Sequence, residues 1–220
     1  MNVPVEIANI YTPAEAEALR RYADDYNRWI DGRTTAGPIA AGVKSNLQLD
    51  EYATRELRAN VVGRLMTHEL FHAITRPKHI GIMFSKYLQD DGYGLHVDDS
   101  LIGEHRRDIS FTISLSDPSM FAGGDLVIES PFGETCHRPA AGTAVVYPAT
   151  TLHRVEPIIS GERVVIVGWV RSYIRDAAQR ELLFELDLVK AKMYANYGRS
   201  TEVDLLSKCS ANLKRMWLED

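Results

Sequence analysis

The chain has 220 residues, 45% of them hydrophobic, which is enough for one well-buried core and not obviously two. A formal net charge of −5 disfavours a standing nucleic-acid surface, because duplex binding needs a basic stripe that displaces counterions. Cys136 and Cys209 cannot make a disulfide framework, no stretch approaches the roughly 20 apolar residues that span a bilayer, and the N-terminus has no leader-like pattern, so a cytoplasmic protein without nucleic-acid or membrane partners is expected. The first predicted element is a helix in "TPAEAEALRRYADDYNRWI", capped by Thr12 with Pro13 at the first position and Glu15 reaching back, and running to Trp29 or Ile30. "VKSNLQL" then alternates Val43, Ser45, Leu47 and Leu49 against Lys44, Asn46 and Gln48, a strand with one polar face. Residues 51–75 return to helical spacing, with Leu57, Val61 and Leu65 recurring at i+4, until Pro77 stops them.

From about residue 80 short apolar runs recur every eight to twelve residues between turn signals such as "DDG", "AGG" and "SPFG", the texture of a β-sandwich or barrel. In "DISFTISL" the alternating Ile109, Phe111, Ile113 and Leu115 give one face to a core. Gly123, Gly124 and Gly142 fit turns, and Cys136 and His137 fit structural roles. After Arg171 the chain is helical again, and a last helix is expected to start at the Thr201/Asp204 capping pair. Its stripe of Leu205, Cys209, Leu213 and Trp217 is expected to pack on the β core or on a second subunit.

Two stretches compete for a metal. "HELFH" at 68–72 matches the H-E-x-x-H of zinc peptidases, with His68 and His72 as ligands and Glu69 as base. Its context does not: Thr75 and Lys78 stand where a metzincin has Gly and His, and His68 and His72 read more simply as surface or packing residues near a helix C-terminus. "HVD" at 96–98 puts His96 and Asp98 on the same side of an extended segment, where they can share one ion. His153 before a later strand is a candidate third ligand. Two histidines and one carboxylate form the facial triad of non-haem Fe(II) oxygenases. Arg163 follows His153 by ten residues.

"HVD" followed in order by "RRDISFTISLSDP", "GGDLVIE", "PAAGTAVVYPATTLHRVEPIISGER" and "SYIRDAAQRELLFELD" resembles the PKHD-type hydroxylases, a bacterial branch of the iron(II)/2-oxoglutarate dioxygenases related to prolyl and lysyl hydroxylases. "WIDGRTTAGPIAAGVKSNLQL" and "NLKRMW" extend the resemblance over most of the chain. It implies an α+β, mainly β fold: a double-stranded β-helix (jelly-roll) core over 80–172, with N-terminal helices and a strand in 1–79 and a C-terminal helical extension in 173–220, all one domain. It further implies Fe(II) held by His96, Asp98 and His153, and 2-oxoglutarate whose distal carboxylate meets Arg163. Tyr87 is implied on the same carboxylate, with Tyr93 competing for the role. The reaction implied consumes O2, releases succinate and CO2 and hydroxylates an unactivated C–H, with ascorbate as reductant. Halogenating relatives replace the carboxylate that this chain keeps as Asp98.

Substrate residues are less defined by the sequence. Lys44, Asn46 and Gln48 are candidate contacts by family analogy, or else the solvated face of an edge strand. Loops 32–38 and 99–107 have the length and residue types of lids, and Arg106 and Arg107 meet an acidic substrate or only solvent. A small molecule or a peptidyl residue both fit, as does a homo-oligomer through the C-terminal helices. Against the dioxygenase stand the zinc metallopeptidase and a non-catalytic β-helix binding protein.

Overall fold

A computed structural model describes residues 3–51 and 54–219. In chain order the strands are β1 (Val5–Ile7), β2 (Trp29–Asp31), β3 (Lys44–Ser45), β4 (Leu47–Leu49), β5 (Pro77–Tyr87), β6 (Gly92–His96), β7 (Leu101–Ile102), β8 (His105–Arg106), β9 (Ile109–Ser114), β10 (Phe121–Gly123), β11 (Leu126–Ser130), β12 (Gly133–His137), β13 (Ala144–Pro148), β14 (His153–Val155), β15 (Ile158–Gly161) and β16 (Arg163–Ser172). The helices are α1 (Pro13–Asp25), α2 (Pro38–Ala41), α3 (Arg55–Thr67), α4 (Glu69–Thr75), α5 (Ala177–Tyr197) and α6 (Thr201–Trp217). The fold is mainly β and its ladders are antiparallel. A seven-stranded sheet runs β1-β13-β9-β16-β5-β4-β2, and a five-stranded sheet runs β12-β11-β14-β6-β3.

The pleat sorts the large sheet into two faces. Ile80, Ile82 and Phe84 of β5, Phe111 and Ile113 of β9, and Val164 and Ile166 of β16 pack against Ala16, Leu57, Val61, Leu65 and Phe71 of the N-terminal helices. Their alternates Tyr87, Val165, Val145 and Tyr147 face the small sheet and pack with Leu126, Ile128, Val155 and Ile158. The expected strands in 80–172 are all present. Gly123, Gly124 and Gly142 take φ of 75°, 68° and 84°, where a side chain would be strained.

The N-terminal third departs from expectation in three places. The Thr12 capping box is present, but α1 stops at Asp25; Asn27 turns left-handed (φ 45°) and Trp29–Asp31 becomes a strand paired with Leu47–Leu49. The 51–75 helix is broken at His68, whose extended backbone ends α3 and begins α4. Residues 44–49 form two short strands instead of one: β3 pairs with β6 in the small sheet, β4 with β5 in the large one, and Asn46 carries the chain between them. These strands from the first 50 residues close one side of the space between the sheets.

The C-terminal helices α5 and α6 form a hairpin. Ser200 is the cap of α6, not the Thr201/Asp204 pair, and the side turned inward carries Val203, Leu206, Ser210, Leu213 and Trp217, leaving Leu205 and Cys209 exposed. The hairpin is tied at Asp187. Burial raises this carboxyl, but donors from Lys190 (2.9 Å), Ser210 (2.8 Å), Lys214 (3.0 Å) and Arg76 (3.0 Å) outweigh it and hold it below the usual carboxylate range. Asp187→Asn is expected to cost about 2 kcal/mol at pH 7, less than for a fully buried pair because the side chain keeps 25% exposure. A depressed pKa contributes stability above the unfolded carboxyl's value, so the gap between variant and wild type should be full above about pH 4 and shrink as the pH falls further. Urea unfolding across that range measures both.

Candidate active site

Neighbouring strands of the small sheet bring the two histidines together. His153, the first residue of β14, lies directly opposite His96, the last of β6, and their ring centroids are 4.3 Å apart. The ring Nδ1 of His96 faces Gly94 O at 2.8 Å and that of His153 faces Thr151 O at 3.0 Å. A carbonyl can only accept, so each Nδ1 carries the proton and each Nε2 is left as a lone-pair donor. Asp98, just past the strand end, sends Oδ2 to within 3.9 Å of His153 Nε2 and accepts a 2.5 Å hydrogen bond from Ser110 Oγ of β9. One ligand atom from each of His96, Asp98 and His153 falls within 4.8 Å of the other two. Burial, then the neighbouring His153, pulls the His96 pKa down to about 4, so the ring is a neutral ligand near neutral pH. Two neutral imidazoles and a carboxylate, with tautomers fixed by carbonyls, suit a divalent first-row metal.

The HELFH residues make no comparable group. His68 sits at the helix break, where its Nδ1 accepts from the Phe71 amide at 3.2 Å as a cap, while Glu69 and His72 are exposed. A zincin needs both histidines on one face of a continuous helix, and the break removes it. The zinc reading therefore fails, and His68 lies where α3 ends, as a residue near a helix C-terminus.

Deeper between the sheets Arg163 is 5% exposed, and its Nη1 has no hydrogen-bond partner. It stands opposite Tyr87 across the β5–β16 ladder, with its guanidinium 5.3 Å from the Tyr87 ring centroid. Tyr87 is 2% exposed, and burial raises its pKa. A permanently charged, buried guanidinium with a free donor fits an anionic group brought in by a ligand, as the distal carboxylate of 2-oxoglutarate requires. Tyr93, the competing tyrosine, is elsewhere: it stacks on His96 with centroids 3.6 Å apart.

The triad opens into a cleft of about 90 Å³. Lys44, Asn46 and Gln48 line it and are 8%, 5% and 2% exposed, so the solvated-edge alternative does not hold. Lys44 reaches Thr35 Oγ1 at 3.3 Å, and burial lowers its pKa to about 8. Both amide atoms of Asn46 and the hydroxyl of Ser85 are buried without partners. Thr35, Ala36 and Gly37 from loop 32–38, and Asp99 and Arg107 from 99–107, reach the cleft; the second segment is largely the β7–β8 hairpin. Arg107 lies over Trp169 at 4.3 Å. Arg106 is not brought in: it pairs with Asp108 at 2.6 Å and Glu219 at 3.0 Å, a structural tie between the hairpin and the C-terminus.

Ser110, Trp169 and Asp99 escaped sequence reasoning as site residues, and Tyr93 was weighed only for the cosubstrate carboxylate. One signal was available: Ser110, Thr112 and Ser114 alternate with the core-facing residues of β9 and mark its other face as lined with hydroxyls. Because Ser110 orients Asp98, Ser110→Ala should weaken Fe(II) binding about 10- to 100-fold while leaving the fold intact, checked by Fe(II) titration and circular dichroism.

Comparison with known proteins agrees with this geometry. Residues 82–171 match the family described as the 2OG-Fe(II) oxygenase superfamily. A PKHD-type hydroxylase of Maricaulis maris is 47% identical over 194 residues, covering 87% of this chain and 89% of the relative. Among solved structures, a Pseudomonas putida prolyl-4-hydroxylase superposes with a TM-score of 0.57 at 20% identity, covering 78% of this chain and 94% of that one. A prolyl hydroxylase of Trichoplax adhaerens, in complex with a hypoxia inducible factor oxygen degradation domain peptide fragment, gives 0.55 at 16% identity, with 83% and 87% covered. These two share the fold. With its relatives matched over most of their length, the chain belongs to the PKHD-type hydroxylases of the 2OG-Fe(II) oxygenase superfamily and is a 2-oxoglutarate-dependent dioxygenase.

Proposed function

We propose that His96, Asp98 and His153 hold Fe(II), that Arg163 and the Tyr87 hydroxyl hold the distal carboxylate of 2-oxoglutarate, and that the cleft in front of the triad receives the C–H to be hydroxylated. The observation that carries this reading is the convergence of two Nε2 atoms and one carboxylate, each oriented from behind by a carbonyl or a hydroxyl, in a cleft that Tyr87 also lines, with the unpartnered guanidinium of Arg163 buried beside that tyrosine. Iron, O2 and 2-oxoglutarate, with ascorbate as reductant, supply the oxidising chemistry and release succinate and CO2.

The chain's own residues position and insulate. Ser110 holds the Asp98 carboxylate in register with the two imidazoles. Tyr93 stacked on His96 and Tyr147 against His153, centroids 5.0 Å apart, fix both rings and keep bulk water from them. Leu126 and Val155 give the cleft apolar walls, and burial at 5% exposure puts Arg163 in a low dielectric. Lys44, Asn46, Gln48 and Arg107 are the substrate contacts, the substrate being a small molecule or a peptidyl residue.

The two antiparallel sheets enclosing this cleft support a double-stranded β-helix, with 1–220 acting as one domain and helices packed at either end of the chain. Among the described residues no helix is long and apolar enough to cross a membrane, and we read the cytoplasm as the site of action. Self-association through the α5–α6 hairpin would use its outer side, where Leu205, Met216 and Leu218 are exposed. The test of the whole reading is an anaerobic titration with Fe(II) and 2-oxoglutarate: a metal-to-ligand charge-transfer band is expected, and its absence rejects the site.

A further inference from the structure

Two cations stand in the cleft without an anionic partner. Lys44 is 8% exposed, its ammonium lying 5.2 Å from the Tyr93 ring centroid and touching only the Thr35 hydroxyl. Arg107 lies over the Trp169 ring at 4.3 Å, and its buried Nε has no hydrogen-bond partner. Among the described residues neither forms an ion pair, whereas neighbouring Arg106 is fully engaged by Asp108 and Glu219. The two are near enough for Arg107 to act on Lys44 unfavourably, and Asp98 is the carboxylate acting most strongly on both. With iron bound, that carboxylate's charge is committed to the metal. Desolvation outweighs the carboxylates that act on each cation at a distance, Asp98 and Asp31 on Lys44 and Asp98 and Asp99 on Arg107, so a direct anionic partner has to arrive with a ligand.

On the reading above, in which iron fills the triad and 2-oxoglutarate reaches Arg163, the remaining ligand is the substrate. We propose that the substrate carries a free carboxylate, seated between Lys44 and Arg107, and belongs to the α-amino acid class. A planar guanidinium held against an indole is a preorganised two-pronged donor for a carboxylate, and Lys44 adds a point charge from the opposite wall. Asp99 lines the same mouth without an ion pair and supplies the matching negative charge for an α-ammonium. An internal residue of a peptide has neither terminal charge and would leave Lys44 and Arg107 without a direct anionic partner.

Calorimetry under nitrogen on the protein loaded with Fe(II) and 2-oxoglutarate tests this with two matched probe sets, the common free α-amino acids and the same compounds as α-carboxamides. At least one free acid should bind, and its carboxamide should bind about thirtyfold more weakly or worse, the scale of leaving a buried charge unpaired. Lys44→Met and Arg107→Met should each erase most of that discrimination. Lys44→Met should also melt at or above the wild-type temperature, because it removes a buried cation that lacks an anionic partner. If no free acid binds, or acids and amides bind alike, the carboxylate seat is wrong. A lower melting temperature for Lys44→Met would make that cation structural and overturn it equally. A wild-type protein that gives no charge-transfer band would instead fail the oxygenase reading on which this rests.

Discussion

Asp98→Ala is expected to abolish succinate formation and to lower Fe(II) affinity by two orders of magnitude or more. Removing the carboxylate takes away the only anionic donor in the group of three and leaves Ser110 Oγ, 1% exposed at residue level, without its acceptor. Supporting groups that only orient a ligand already change metal affinity about 10- to 100-fold, so the ligand itself should exceed that range. Two neutral imidazoles alone compensate neither the charge of a divalent ion nor its coordination. Metal analysis after gel filtration, with circular dichroism to check the fold, measures the loss. The companion variant changes both His68 and His72 to Ala. It should keep its iron and its activity, with at most a modest loss of stability from the His68 cap on Phe71 N. Iron lost from the companion and kept by Asp98→Ala would reverse the assignment.

The pattern of success in the sequence reading has physical causes. The grouping of His96, Asp98 and His153 was legible because ligand chemistry restricts residue type and because an ordered set of motifs surrounds them. Lys44, Asn46 and Gln48 were legible as a polar face, but not as a buried one: a period-two pattern reports that alternate residues share a side, and says nothing of whether that side meets water or a cleft. The end of α1 was misplaced because Trp29 and Ile30 continue an apolar spacing while their hydrogen-bond partners, Leu49 and Gln48, are 18 or more residues downstream. The break at His68 was hidden by an unbroken i+4 series, since Val62, Met66, Leu70 and Ile74 fit one long helix as well as two short ones. In α6 the seam contains Ser210, donating to Asp187, in place of a large apolar residue. The apolar i+4 set Leu205–Cys209 therefore pointed to the wrong side. Ser110 was missed because its role is a single hydrogen bond to a residue twelve positions earlier.

Arg163→Ala separates cosubstrate recognition from metal binding. The guanidinium is 5% exposed, is 5.3 Å from the Tyr87 ring and keeps Nη1 unpartnered, so a carboxylate arriving from the triad side gains a charge-assisted bond without displacing an existing one. Truncating one partner of such a buried pair costs about 2–5 kcal/mol, which corresponds to a 2-oxoglutarate dissociation constant raised roughly thirtyfold to several thousandfold. Fe(II) affinity should stay close to wild type, because the three candidate ligands reach the metal from β6, the turn after it and β14, and Arg163 belongs to β16 of the other sheet. Arg163→Lys should fall between the two, keeping the charge but losing the fork. Tyr87→Phe should weaken the cosubstrate less than Arg163→Ala, since it removes one neutral donor and leaves the charge in place. The readout is the charge-transfer absorbance of the Fe(II) protein titrated with 2-oxoglutarate under nitrogen. If Arg163→Ala reaches half-saturation at the wild-type concentration, the buried guanidinium is not the anchor, and its unpartnered nitrogen needs another explanation.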